Sequence, residues 1–427
     1  MLRIEPHDAL IDVARDIRID DLEPGEVITV RSHTVRGNGI VWTSQIRIRA
    51  DAHGAVLLGR DAPLDGSYEG VEPMGLCWSQ TPTVEGEREL FPADVLQPIT
   101  TTVSVLRGNG QNWEQDFVQR LAAPGVRRED VREEGLVGTV FHPAGDGPHP
   151  AILILNGSGG GINEPRGALW ASHGFTAFAL GYFKAPGLSP YISNTPLEYF
   201  ETGLRWLRRT HKPLGDFVAV TGQSRGGELV MMLGALFPDL VDAVLGYVPS
   251  AVVNCAQNAC DPALGREGFA WVHKGQGIPH IWQDNRTATW EPWDNGPEPR
   301  RHTAALLTSL QDPEAVERAR IPVERIRGPV LLLSGSDDGS WPSTVYCEMI
   351  KSHLAKHRHP YPVVHHEYPN GGHSILFPYA PTTQLTYRHP VSKRSSTTGG
   401  TPAVNAHADA HSWQAALTFA RQAVADH

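Results

Sequence analysis

The sequence predicts an α/β fold with a doubly wound, mostly parallel sheet, preceded by an all-β sandwich. Three observations predict it. Residues before about position 110 alternate apolar and polar at period two, as half-buried strands do. Turn signals such as Asp65-Gly66 and Gly108-Asn109-Gly110 separate those runs. From about residue 148 onward, short apolar runs take over and are spaced by stretches of helical period.

The elements follow in order. Trp42, Ser44, Ile46 and Ile48 alternate with Thr43, Gln45, Arg47 and Arg49, and Ile99, Thr101, Val103 and Val105 repeat the pattern. Short alternating strands with frequent turns suggest a sandwich, placed at residues 1–125. The pattern changes after residues 123–128 (APGVRR), so residues 126–427 form the second domain. Its strands are read at 151–157 (AILILNG), 176–181 (TAFALG), 217–222 (FVAVTG), 241–248 (VDAVLGYV) and 329–334 (PVLLLS). Near-continuous apolar runs of this length suit strands buried on both faces of a parallel sheet. Between them, residues 197–209 place Leu197, Phe200, Leu204 and Leu207 on one helical face, and a second helix occupies 225–237. Residues 255–325, rich in Trp, Pro, His and Gly, are read as an insertion over the strand ends. Residues 392–400 (SKRSSTTGG) are read as a flexible loop.

Composition bounds the partners. The chain of 427 residues is 40% hydrophobic and 20% charged, an ordinary globular balance. Its formal net charge of −10 argues against nucleic acid, whose phosphates require clustered cations. An anionic small molecule would have to meet a local cationic patch. No apolar run is long enough to span a bilayer, so no membrane association is expected. The first twenty residues lack a basic segment followed by an apolar one, so no secretory signal is expected. The final VADH lacks a peroxisomal tripeptide. The four cysteines (Cys77, Cys255, Cys260, Cys347) are too few and scattered for a disulfide scaffold; Cys255 and Cys260 are close enough in sequence to pair, with free thiols in a reducing compartment the expected state. A cytoplasmic location follows as the expectation. The oligomeric state does not follow from the sequence.

The chemistry gathers around one motif. Gly222-Gln223-Ser224-Arg225-Gly226 has the form G-x-S-x-G, with an apolar strand running into it and a helix leaving it. That is the setting of a nucleophile elbow: a sharp turn exposes the serine, and the helix N-terminus directs free N–H groups toward developing negative charge. Such a serine needs a base and an orienting acid, each on a loop after a later strand. The strand at 329–334 runs into Gly335-Ser336-Asp337-Asp338-Gly339, and the strand at 361–368 (YPVVHHEY) runs toward Asn370-Gly371-Gly372-His373. The expected triad is Ser224, Asp338 and His373, with Asp337 as the rival acid. The expected oxyanion donors are the backbone N–H groups of Arg225 and Ser158, with Gly159 next in line. Among the 20 histidines, His365 and His366 lie inside a strand and are read as structural. His407, Asp409 and His411 have a metal-like spacing but no further ligand nearby, so no metal is expected. No cofactor is expected either.

These residues resemble a known family, the acyl-CoA thioesterases related to bile-acid-CoA:amino-acid N-acyltransferase. Residues 65–78 (DGSYEGVEPMGLCW) and 124–128 (PGVRR) are similar to family segments in the first domain. In the second, 157–161 (GSGGG), 197–200 (LEYF), 222–229 (GQSRGGEL), 321–325 (IPVER) and 337–341 (DDGSW) follow in the family's order. The resemblance implies an α/β-hydrolase domain behind a β-sandwich, and nucleophile, acid and base roles for the matching Ser224, Asp338 and His373. Family thioesterases carry serine at the nucleophile, whereas the amino-acid acyltransferase carries cysteine, so Ser224 implies hydrolysis of a small-molecule acyl thioester. Transfer to an amine or alcohol acceptor, and hydrolysis of an oxygen ester or lactone, remain the alternatives. A non-catalytic scaffold is the rival from another class. The sequence departs from the family pattern in two places. Residues 255–301 look unlike the usual segment. Arg225 stands where a lysine is expected, either as a surface residue or with its charge toward a CoA phosphate. Glu228 fits the pattern, and an acid in a first helical turn also suits the helix dipole.

Overall fold

The computed structural model describes residues 1–389 and 392–427. The chain forms two compact units. The first comprises Met1–Ala123, Leu376–Leu385 and Thr401–Trp413, and the second Pro124–Ile375, Thr386–Gly400 and Gln414–His427. Two short C-terminal stretches thus belong with the first unit, a distribution that local periodicity does not register.

In the first unit the period-two runs pair as strands. Val27–Arg36 and Ile40–Arg49 lie antiparallel, with Val30 opposite Ile46 and Ile28 opposite Ile48. They belong to a 7-stranded sheet that continues through Ile99–Leu106 and Asn112–Arg120 to a parallel edge at Asp8–Leu10. A 3-stranded sheet of Leu2–Glu5, Asp16–Ile19 and Val56–Leu57 supplies the other layer. Ile4, Ile17 and Ile19 from the small sheet share one core with Val30, Ile46, Val105 and Phe117 from the large one. Each such side chain contributes roughly 1.5–3 kcal/mol by leaving water, which is why alternation along each strand is sufficient to specify the sandwich. Two details differ from the sequence reading. Asp65–Gly66 is a short strand beside Arg47 and Ile46 rather than a free turn. Gly75–Trp78 forms one helical turn, wholly buried and too short to show a period.

The second unit holds an 8-stranded sheet. Its strands are β1 (Arg127–Val131), β2 (Val137–His142), β3 (Ala151–Leu155), β4 (Thr176–Gly181), β5 (Val218–Gln223), β6 (Ala243–Tyr247), β7 (Val330–Gly335) and β8 (Val363–Tyr368). Their order is β1-β2-β4-β3-β5-β6-β7-β8, antiparallel from β1 to β4 and parallel from there onward. The direction of travel reverses between the β3-to-β4 and β4-to-β5 connections. With right-handed crossovers, that reversal puts the helix Glu164–Ser172 on one face and the helices Leu197–His211 and Arg225–Leu236 on the other. β3, β4, β6 and β7 are buried along their whole length, as their unbroken apolar runs require. Leu197, Phe200, Leu204 and Leu207 form the buried stripe of their helix, which stops where Lys212 turns left-handed at φ 45°.

β6 and β7 are sheet neighbours, yet some eighty residues separate them. That connection contains 255–325 and folds into the short strands Trp271–His273 and Gln276–Gly277 and the helices Glu291–Asp294, Thr303–Ser309 and Pro313–Ala319. Residues 392–400 are not a plain loop: Ser395–Thr397 pairs antiparallel with Thr386–Arg388. No helix among the described residues is long and apolar enough to cross a membrane.

Candidate active site

β5 delivers its last residue, Gln223, into a sharp reversal, and the helix Arg225–Leu236 starts one residue later. Ser224 at the apex has φ 58° and ψ −117°, a conformation costly for any residue with a side chain and of order 1–3 kcal/mol. The surrounding glycines are there for space. A Cβ on Gly222 would lie 2.3 Å from the Gly226 carbonyl oxygen, and one on Gly226 would lie 2.5 Å from that of Leu155 and 2.6 Å from that of Asn156. These obstacles are backbone atoms and cannot step aside. Gly226→Ala is therefore expected to lower the unfolding free energy by about 3 kcal/mol or more, measured by urea titration. A loss below about 1 kcal/mol would mean the packing around the elbow is loose.

β3 ends beside this turn. Gly157 packs so closely that a Cβ there would lie 3.3 Å from the Ser224 Cβ and 3.9 Å from the Arg225 nitrogen. The loop it opens is held through its glycine amides: Gly160 N–H donates to Gly157 O at 3.0 Å, Gly161 N–H to Phe183 O at 2.8 Å, and Gly157 N–H to Asn156 Oδ1 at 3.0 Å. Among the described residues, no acceptor is seated on the amides of Ser158 and Gly159. Arg225 is the first residue of its helix, where an N–H has no intrahelical partner.

The loops after β7 and β8 are tied to each other. Asp337 N–H donates to Gly371 O at 2.9 Å, and Thr398 O accepts from both Gly339 and His373 at 3.0 and 2.8 Å. His373 Nδ1 and Asp338 Oδ2 are 2.8 Å apart. The other Asp338 oxygen accepts from the amides of Ser340 and Trp341 at 2.8 and 3.0 Å, so the carboxylate is fixed from both sides and only 4% exposed. Asp337 faces elsewhere. It pairs with Arg301 at 2.7 Å and takes the Gly400 amide, with its side chain 45% exposed. His373 in turn lies against the elbow, since Gln223 Nε2 donates to His373 O at 3.3 Å. The Trp341 ring meets the His373 ring edge-on at 5.8 Å.

Sequence reasoning missed the residues that frame these loops. Thr398, inside the stretch read as flexible, anchors His373 through its carbonyl. Thr303 Oγ1 donates to Asp338 O at 2.6 Å, and His302 N–H to Gly339 O at 2.9 Å. The His302 ring stacks on Trp293 with centroids 3.5 Å apart. Burial, followed by the charges of His389 and His373, pushes His302 well below the ordinary histidine range. These residues come from separate segments with no local pattern, so only the density of Trp and His in the insertion could have pointed to them.

Arg225 is neither a surface residue nor free to meet a phosphate: its side chain is 2% exposed and paired with Glu228 at 2.9 Å. His365 bonds Ser334 Oγ at 2.8 Å and Glu348 at 3.2 Å, with burial pushing it below its ordinary range. In the first unit, His407 pairs with Glu72 at 2.7 Å and Asp409 accepts the Leu376 amide. Cys255 and Cys260 are separate buried thiols.

A sheet of this strand order, with a strained serine at the β5 turn and a carboxylate–imidazole pair on the loops after β7 and β8, defines an enzyme of the α/β-hydrolase class. Within that class, the chain belongs to the BAAT / acyl-CoA thioester hydrolase family. Residues 195–426 match the family's C-terminal region and residues 12–133 its N-terminal region. Acyl-coenzyme A thioesterase 6 of Mus musculus is 33% identical over 421 residues, covering 96% of this chain and 93% of that one. Acyl-coenzyme A thioesterase 1 of Mus musculus is 32% identical, with the same coverage of both chains. The peroxisomal succinyl-coenzyme A thioesterase of that organism is 30% identical, again over 96% and 93%.

Proposed function

We propose that this chain hydrolyses acyl thioesters of coenzyme A through an acyl-enzyme on Ser224. The observation that carries the reading is the Asp338–His373 hydrogen bond beside a serine held at positive φ. Ser224 Oγ attacks the thioester carbonyl while His373 takes its proton, and the amides of Arg225 and Ser158 receive the oxyanion. Asp338 holds the imidazole in the tautomer that leaves Nε2 free to act as base. His373 then returns the proton to the departing thiolate, and water, deprotonated by the same base, releases the acid. The unpartnered amides of the 157–161 loop support the second donor. No metal or cofactor enters any step, and Ser224, unlike a cysteine, favours passing the acyl group to water. A cytoplasmic location belongs to the same proposal, because four buried free thiols suit a reducing compartment.

The test is thiol release from a panel of acyl-CoAs running from succinyl through short and medium chains to long ones. Turnover of at least one member, with free acid as the product even when glycine or taurine is added, is the expected result. If an amide forms instead, the enzyme is a transferase. If no thiol is released while an aryl ester is still cleaved, the coenzyme A assignment falls and the hydrolase stands.

A further inference from the structure

The Arg225 side chain, as distinct from its backbone amide, is among the most heavily bonded of the described residues. Nη1 donates to Glu228 Oε1 at 2.9 Å, to Oε2 at 3.2 Å and to Asn254 O at 3.2 Å. Nη2 donates to Cys255 O at 2.7 Å and to Gln257 Oε1 at 3.0 Å. Glu228, fully buried one turn into the same helix, also accepts from Asn254 Nδ2 at 2.8 Å and from Trp271 Nε1 at 2.7 Å. The guanidinium lies 6.0 Å over the Trp341 ring, the same ring that meets His373 edge-on.

A carboxylate buried at this point is a liability for the chemistry. The N-terminal turn of the helix must present positive potential to the oxyanion, and a negative charge one turn behind opposes it. Away from water that opposition is only weakly screened. Glu228 does lie in the first turn, where an acid suits the helix dipole, but it is also fully buried and paired with a specific cation. The same cation grips residues 254–257, where the long connection after β6 begins its excursion.

We propose that Arg225 is a positioning residue for the hydrolysis described above: it cancels the Glu228 charge behind the oxyanion donor and fixes residues 254–257 to the elbow helix. This rests on the serine-hydrolase reading. The pair therefore acts on kcat, through the charge seen by the transition state, more than on KM.

The test measures kcat and KM on an acyl-CoA that the wild type turns over, with melting temperature and fluorophosphonate labelling of Ser224 recorded for each protein. Arg225→Met is expected to lower kcat by about tenfold or more, with KM changed by less than about threefold. Adding Glu228→Gln to it removes the uncancelled charge and is expected to restore most of the lost kcat, even though the melting temperature stays low. Arg225→Lys keeps the charge but cannot span all its acceptors, and is expected to be about tenfold faster than Arg225→Met while also melting early. A double variant no faster than Arg225→Met, or a lysine variant equally slow, overturns the inference and leaves the pair a packing element. Should Arg225→Met not fold, Arg225→Lys and Glu228→Gln decide: both losing kcat by a hundredfold or more would overturn it equally. Failure of the underlying reading shows elsewhere, as wild-type enzyme that takes no fluorophosphonate on Ser224.

Discussion

Replacing Ser224 by alanine is expected to lower kcat/KM for thiol release by about 10⁴-fold or more while leaving the fold intact. Both halves of that expectation come from the elbow. Alanine keeps a Cβ, so it inherits the same positive φ and neither relieves nor adds to the strain at the turn. Gly222 and Gly226 keep their close approaches, and the melting temperature should move by no more than about 2 °C. What disappears is the hydroxyl that the proposed mechanism acylates. The amides of Arg225 and Ser158 would still receive an oxyanion, so a residual rate from direct attack by water should survive. Ser224→Gly makes a second comparison. It should be equally inactive but more stable by about 1 kcal/mol, because glycine alone occupies this region of φ without penalty. Thiol release and thermal melts on the three proteins check this. An alanine variant retaining a tenth of wild-type activity would remove Ser224 from the mechanism.

Much of this site was legible because its residues sit at chain positions dictated by the sheet. Ser224 follows β5, Asp338 follows β7 and His373 follows β8, so a reader who finds the strands finds the loops. The strands themselves are readable because full burial imposes unbroken apolar runs. What stayed hidden depends on contacts between segments far apart in the sequence. Nothing local marks Thr398 as the residue whose carbonyl holds His373, and its surroundings read as loop because the strand Ser395–Thr397 is short and polar. Arg225 misled for a related reason. A charged residue at the start of a helix looks solvent-facing until the connection after β6 folds over it, and that connection has no period to read. β1 was missed because it is an edge strand with charged residues along most of its exposed length, and β2, buried between β1 and β4, because Gly138 and Thr139 interrupt its apolar run.

The choice between the two adjacent carboxylates gives the sharpest contrast available in this molecule. Asp338→Asn is expected to lower kcat by roughly 10³–10⁴-fold, and Asp337→Asn by no more than about threefold. The first figure follows from the fixed surroundings of Asp338. Two amides, from Ser340 and Trp341, point at one of its oxygens, so the oxygen of an introduced asparagine must stay with them. Its NH₂ group is then turned toward His373 Nδ1, which has to become an acceptor. That places the ring proton on Nε2, the nitrogen that must take the serine proton, so the base is present but in the wrong tautomer. Packing is unchanged, because the two side chains are nearly the same shape. Asp337 accepts one backbone amide, from Gly400, but has no bond to the imidazole. Its pairing with Arg301 is about half in water on both sides, so its loss is worth at most about 1 kcal/mol of stability and touches no reacting atom. Steady-state thiol release on both variants decides the matter. If Asp337→Asn were the slower of the two, the hydrogen bond between Asp338 and His373 would not be the one that orients the base.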